Sequence, residues 1–281
     1  MMYFFSPCGE RQSLCRAAVN GRVRTSQRVL VGALMALFAA SMAVTIMWCT
    51  SMSAMGAMPM PGGWSMSMAW MRMPGQTWSG AAASFLGMWI AMMVAMMLPS
   101  LLPMLYRYRQ DVGDGGAARL VALTVLVGTA YFLVWTALGI VTFPVGVMLN
   151  ALAMQEPGFA RAVPLTTGVV VLIAGALQLT RWKSHYLSCC RGIARQGHRL
   201  HADARTAWRY GLRLGLECVL CCAPLMAILL VVGAMDLGVM AAVTAAITIE
   251  RLARAGERVA RVTGAVAIGA GVALIARAVG V

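Results

Sequence analysis

Three cysteines and a methionine stand within GLECVLCCAPLM, residues 215–226. On a helix Cys218 and Cys221 are related by i,i+3, Cys218 and Cys222 by i,i+4, and Cys222 and Met226 again by i,i+4, so these sulfurs lie close to one face. Thiolate and thioether sulfur suit Cu(I), and by extension other soft metal ions, while offering little to Mg, Ca or Mn. Glu217 can take a proton as the thiols ionise, or balance Arg213; Pro224 is expected to break the helix locally and open the coordination sphere. Free cysteine also packs as a small apolar residue, but three thiols within five positions beside an intramembrane carboxylate favour metal or redox work. A second group lies in LQLTRWKSHYLSCCR, residues 177–191, where His185, Cys189 and Cys190 supply nitrogen and sulfur and Arg181, Lys183 and Arg191 favour the thiolates. Vicinal cysteines chelate one ion poorly from a regular helix, so this group is expected to work with the Cys218 set. His198 and His201 fit a solvated basic loop better than a ligand pair.

Methionine is distributed just as unevenly. Sixteen of the 24 methionines fall between Met42 and Met104, first in a loop and then on one apolar helix. In the loop, Met52, Met55, Met58 and Met60 are spaced three, three and two apart, and Met66, Met68, Met71 and Met73 repeat the density after Trp64. Three such sulfurs can surround Cu(I), and Trp64 and Trp70 can cap a soft cation with their π faces. A merely interfacial loop would use Leu, Phe and Tyr as freely as Met. Along the helix, Met88, Met92 and Met96 recur every four residues, as do Met93 and Met97, stacking thioethers one turn apart. Such a ladder can relay a soft ion, although methionine also packs well in membrane helices. Pro99 and Pro103 remove backbone donors near its end and are expected to kink it.

The elements that must position these groups are membrane helices. The chain of 281 residues is 60% hydrophobic and 11% charged, against about a quarter charged in soluble domains. Apolar stretches predict an all-α, polytopic protein with about seven transmembrane helices near 29–49, 83–105, 120–141, 164–180, 214–233, 234–249 and 262–279. Six crossings would remain if 234–249, interrupted from its neighbour only by Asp236, were re-entrant; a hairpin turning at 233–237 with Asp236 at the interface is preferred. The formal charge of +14 does not point to nucleic acid, because 20 of the 23 Lys and Arg residues occupy alternate segments between these stretches. That is the positive-inside pattern, which puts the N-terminus in the cytoplasm and implies contact with anionic lipid. The apolar run from Val29 is too long for an ordinary signal h-region and lacks a small-residue cleavage site, so a retained anchor in a bacterial inner membrane is expected. Residues 1–28 form a basic cytoplasmic segment, 29–281 one membrane domain. Its external Met-rich loop, 50–82, offers no periodic face and is expected to lack stable structure; its basic cytoplasmic loop, 181–213, is expected to carry a short interfacial helix around 202–213.

The segments Trp89–Pro103, GALQLTRWKSHYLSCCR from Gly175 and GLRLGLECVLCCAPLMAILLVVGAMDLGVM from Gly211 together resemble a bacterial family of metal-binding integral membrane proteins, domain of unknown function 2182. The resemblance spans most of residues 83–260 and implies a multi-span helical protein whose cysteines are assigned to metal. This chain departs from the family pattern at Arg181–Trp182 and Ala223, which leaves the sulfur ligands intact. Three functions stay open: Cu(I) capture by the external methionines and relay to cytoplasmic-side cysteines, with a metallochaperone or membrane assembly protein as partner; thiol–disulfide exchange through the C-x-x-C spacing of Cys218 and Cys221; and a non-catalytic assembly role. The first is favoured, since stable disulfides are not expected on a reducing side. No nucleotide-binding loop or serine nucleophile constellation suggests an enzyme.

Overall fold

Each apolar stretch forms a helix, and most helices outrun the stretch that predicts them. The computed structural model describes residues 8–54, 58–60, 64–66, 70, 72, 75–112, 116–192, 201–253 and 255–280. In chain order these are α1 (Cys8–Ala54), a ribbon of β1 (Met58–Met60) and β2 (Trp64–Met66), α2 (Trp78–Val112), α3 (Ala117–Gln155), α4 (Pro157–Gln178), α5 (Arg181–Gly192), α6 (Ala204–Val232), α7 (Leu237–Leu252) and α8 (Gly256–Val279). The fold is that of an all-α, multi-pass helical membrane protein. Among the described residues, six helices are long and apolar enough to cross a bilayer: α1, α2, α3, α4, α6 and α8.

The stretch expected as a seventh span becomes α7, whose 16 residues reach only about 24 Å against a core of about 30 Å. It packs back on α6 as the expected hairpin. The chain turns at Gly233, where φ is +153°, and Asp236 stays exposed, its carboxylate accepting from Val239 N at 3.0 Å to start α7. Asp203 caps α6 in the same way by accepting from Thr206 N, and its carboxyl is held below the usual range first by the Thr206 side chain and then by that backbone bond. No separate interfacial helix covers 202–213; those residues enter α6 directly from Ala204, because Asp203 supplies the start signal. Nor do the prolines interrupt their helices. α2 continues through Pro99 and Pro103, and α6 through Pro224, as one element each.

Two other expectations are corrected. Met52 belongs to the last turn of α1, not to a loop, and the loop itself is not structureless: Met58 pairs with Met66 and Met60 with Trp64 in an antiparallel ribbon. The anchors are long-range contacts that no local periodicity displays. Trp64 Nε1 donates to the Ala160 carbonyl at 2.8 Å, and Trp70 packs on Phe85 with ring centroids 5.0 Å apart.

Close approach of backbones sets the bundle. On α4, a Cβ added at Gly175 would lie 2.8 Å from Ile268 N and 2.9 Å from the Gly264 carbonyl of α8; Gly168 faces Gly271 one heptad away. On α6, a Cβ at Gly211 would meet the Val127 carbonyl of α3 at 2.5 Å, and one at Gly215 the Tyr131 carbonyl at 3.0 Å. Small residues at these crossings let membrane helices pack without hydrophobic drive. α2 is the centre of the assembly, with 67% of its apolar window buried against 11% for α1 and α3, whose exposed Val, Leu and Ile side chains suit lipid.

Candidate metal centre

Glycine-mediated contact of α6 with α3 seats Tyr131 directly over Cys218. Tyr131 Oη donates to Cys218 Sγ at 2.9 Å, and both side chains are fully buried. From α7, Arg251 Nη1 donates to the same sulfur at 2.9 Å and to Ser100 Oγ at 2.9 Å, while Nη2 reaches Met104 Sδ at 3.4 Å. The free side of Cys218 Sγ faces two further sulfurs, Met97 Sδ and Cys222 Sγ, each 3.9 Å away. Sulfurs from α2 and α6 therefore meet at one point, as helical spacing on α6 alone implied for Cys218 and Cys222.

The group continues to α5. Cys221 interacts with Cys222 on its own helix and with Cys190 of α5, and that contact, with burial second, holds the Cys190 thiol above its ordinary range. α5 is fixed beneath α6 by Lys183, the sole lysine of the chain. Its ammonium donates to the Cys221 carbonyl at 2.8 Å and pairs with Glu250 Oε2 at 2.7 Å, and Gln178 Nε2 of α4 donates to Glu250 Oε1 at 2.9 Å. Lys183 and Glu250 are each only 1% exposed, so this is a buried ion pair with its remaining polar sites engaged.

The structure divides the predicted residues. Cys218, Cys221, Cys222, Cys190 and Met97 come together, and Met226 is buried one turn beyond Cys222. Met88, Met92, Met93 and Met96 are all buried along α2 above Met97, inside the bundle rather than against lipid. Cys189 is separated from this group. Successive residues of a helix point about 100° apart, so when Cys190 turns inward Cys189 turns out, where its sulfur lies 3.7 Å from Nε2 of exposed His185. His201 is exposed and His198 lies outside the described residues. Glu217 also departs from one of its two expected roles: it pairs with Arg213 at 2.9 Å, and the carboxylate beside the thiols is Glu250.

Met60 of the ribbon is half-buried; the ribbon backbone holds Met58 and Met66, whose side chains are not described, and Met55, Met68, Met71 and Met73 lie outside the described residues. Trp64 and Trp70 are engaged in packing and a carbonyl bond rather than stacked over open space.

Sequence reasoning missed Tyr131, Ser100, Glu250 and Arg251. The last two were legible as charges at the end of an unbroken apolar run, a position that membrane proteins reserve for paired or functional groups.

The donor set can take a soft ion. Cys49, Cys189, Cys190, Cys218, Cys221 and Cys222 are free thiols. An ion about 2.3 Å from both Cys218 and Cys222, 3.9 Å apart, would subtend an S–metal–S angle of about 116°, between tetrahedral and trigonal; Met97 at the same 3.9 Å from Cys218 can complete a trigonal sulfur set. Among the described residues no group of three or more Cys, His, Asp or Glu closes around one point. No curated protein and no solved structure matches this chain. A family model described as a copper chaperone, PpoB2, matches residues 86–274, a stretch that holds every sulfur, charge and hydroxyl of the cluster and leaves out the methionine loop. Since that match covers about two thirds of its length, the chain belongs to the PpoB2 copper chaperone family.

Proposed function

We propose that this chain is a multi-pass protein of the bacterial inner membrane that holds Cu(I) between Met97, Cys218 and Cys222 and passes it along the bundle. The observation that carries this reading is the meeting of three sulfurs from two helices, with Met97 and Cys222 each 3.9 Å from Cys218. Two thiolates and one thioether are soft donors in low coordination number, which favours Cu(I) over harder divalent ions.

On this reading the N-terminus is cytoplasmic, as the distribution of basic residues requires. Met52, Met55, Met58, Met60, Met66 and Met68, the methionines of the external segment, collect the ion outside. The buried thioethers of Met88, Met92, Met93 and Met96 pass it down α2 to Met97, and each weaker thioether releases it to the next. Cys221 and Cys190 form the next station toward the basic face, and Cys189 with His185 presents an exposed pair to a receiving metallochaperone or assembly protein. On this reading the chain works as a carrier of the ion.

The test is Cu(I) titration of the protein in detergent against a chromophoric Cu(I) chelator. Wild type should bind about one Cu(I) tightly, with sulfur-only ligation by X-ray absorption, and Cys218→Ser should weaken binding at least about tenfold. Unchanged affinity in Cys218→Ser and in Met97→Leu refutes the assignment. Thiol trapping in the same samples separates the rival chemistry, because a reversible disulfide formed without metal would mark an oxidoreductase.

A further inference from the structure

Cys218 stands beside a charge that the binding of copper does not require. Arg251 is 5% exposed and sits on α7, yet its guanidinium is turned into the bundle and spends one nitrogen on Cys218 Sγ and Ser100 Oγ and another on Met104 Sδ. The other buried cation near the thiols, Lys183, is already neutralised by Glu250 at 2.7 Å. Arg251 makes no ion pair with a carboxylate among the described residues; its partners are a hydroxyl and two sulfurs. A permanent positive charge in a low-dielectric site costs heavily unless an anion answers it.

From this geometry we infer that Arg251 is a specificity-determining residue that sets the charge of the cargo, making the site select a monovalent over a divalent soft ion. The inference rests on the proposed Cu(I) site. With Cu(I) bound by the Cys218 and Cys222 thiolates and the neutral Met97 thioether, the ion and its ligands carry a net charge of −1. Arg251 brings the site to zero. A divalent soft ion such as Cd(II) or Zn(II) in the same donors makes a neutral centre, and Arg251 then stands as an unanswered buried charge about 3 Å from a ligand sulfur. At an effective dielectric of about 20, unit charges at about 4 Å interact strongly enough to shift relative affinities by well over tenfold. Sulfur softness alone does not separate Cu(I) from Cd(II), so a charge criterion adds a discrimination that the donors lack.

Arg251 acts through the charge and the hydrogen bond that it gives to Cys218, not as a ligand, since a guanidinium has no lone pair to offer. The same bond orients Cys218 Sγ, with Tyr131 on its other side, toward Met97 and Cys222. Positioning and charge can be separated by substitution. Arg251→Lys keeps the charge and gives up the fork; Arg251→Met keeps the volume and gives up the charge; Arg251→Gln keeps a donor for Ser100 without charge and serves where the methionine variant does not fold.

The experiment compares Cu(I) and Cd(II) affinities of the full-length detergent-solubilised wild type and these three variants, each ion by competition with its own chelator, after gel filtration has shown the folded state. Taking the ratio of the two affinities removes any loss of active fraction. The neutral variants should lower the Cu(I)-to-Cd(II) affinity ratio at least about tenfold, with Cd(II) binding tighter than in wild type, and Arg251→Lys should hold the ratio within about threefold. Equal weakening of both ions by the neutral variants, or a lysine variant that behaves like methionine, overturns the charge role. A wild type that binds no Cu(I) removes the copper reading and this inference with it, whereas a wild type that binds Cu(I) with a ratio insensitive to Arg251 removes the inference alone.

Discussion

Lys183→Met tests whether one buried ion pair holds α5, and with it Cys190, against the thiol cluster. The pair is 2.7 Å long and 1% exposed at both ends. At that separation and an effective dielectric of about 20, the Coulomb attraction is about 6 kcal/mol, most of it offset by the desolvation of both ions. Removing one partner of such a pair typically costs 3–5 kcal/mol because the other is left buried with its charge. Here Gln178 continues to donate to Glu250 Oε1, so about 3 kcal/mol is expected. Methionine matches the lysine stem in volume, and Lys183→Met/Glu250→Met, which removes both charges, should recover most of the loss. The loss should appear as local opening of α5 before the bundle melts, since α5 is short and amphipathic. At about 1.4 kcal/mol per decade, 3 kcal/mol raises the open population about 100-fold. Cys190, 0% exposed in the closed form, reports it directly: its alkylation by a small maleimide, followed by mass spectrometry, should accelerate about 100-fold in Lys183→Met and fall back toward wild type in the double variant. Acceleration under about threefold, or a double variant as reactive as the single, would refute the assignment of α5 docking to this pair.

Gly175→Leu drives a side chain into Ile268 N and the Gly264 carbonyl, backbone atoms that cannot rotate away, and should lower the thermal midpoint in detergent by the equivalent of 1–3 kcal/mol or more, while Gly269→Ala, with nothing within 4 Å of the added Cβ, should be nearly silent. Glu217→Gln should change neither Cu(I) affinity nor stability by more than about 1 kcal/mol, because its partner Arg213 is 64% exposed and the thiols face Glu250 instead; a loss of Cu(I) binding in this variant would return Glu217 to the site. Cu(I) affinity should rise with pH by up to about tenfold per unit for each thiol proton displaced, measured by chelator competition between about pH 6 and pH 8, and a flat profile would mean that binding does not displace thiol protons.

Helix positions and the spacing of sulfurs along each helix were legible in the sequence, because both follow from hydropathy and a period of 3.6. Met97 facing Cys218 was not. Periodicity places Met88, Met92 and Met96 on one stripe and Met93 and Met97 beside it, but which stripe meets α6 depends on how Gly211 and Gly215 roll α6 onto α3. The vicinal pair shows the same limit from another side. Cys189 and Cys190 are equal in composition, and only the docking of α5 decides that Cys190 turns inward while Cys189 goes to His185. Arg251 was counted with Arg254, Arg258 and Arg261 as one basic segment that orients the chain. A charge count cannot tell which member of such a run turns into the bundle; the apolar residues that precede Arg251 without a turn were the available sign.

The short α7 explains why that arginine turns inward. α6 and α7 are joined at Gly233–Asp236, and fifteen residues separate Cys218 from Gly233 on one arm, as fifteen separate Asp236 from Arg251 on the other. At 1.5 Å per residue both arms are about 22 Å, so the hairpin returns Arg251 to the depth of Cys218 and no further. A helix long enough to cross the bilayer completely would have carried the Glu250–Arg251 pair to the interface, where water would answer both charges and neither Lys183 nor Cys218 would be needed. Stopping α7 early instead leaves two charges at the level of the sulfurs, one neutralised by Lys183 and the other set against Cys218. The departure from full span length is therefore what brings charge to the thiols, and the cost of burying it is met by the groups that define the site.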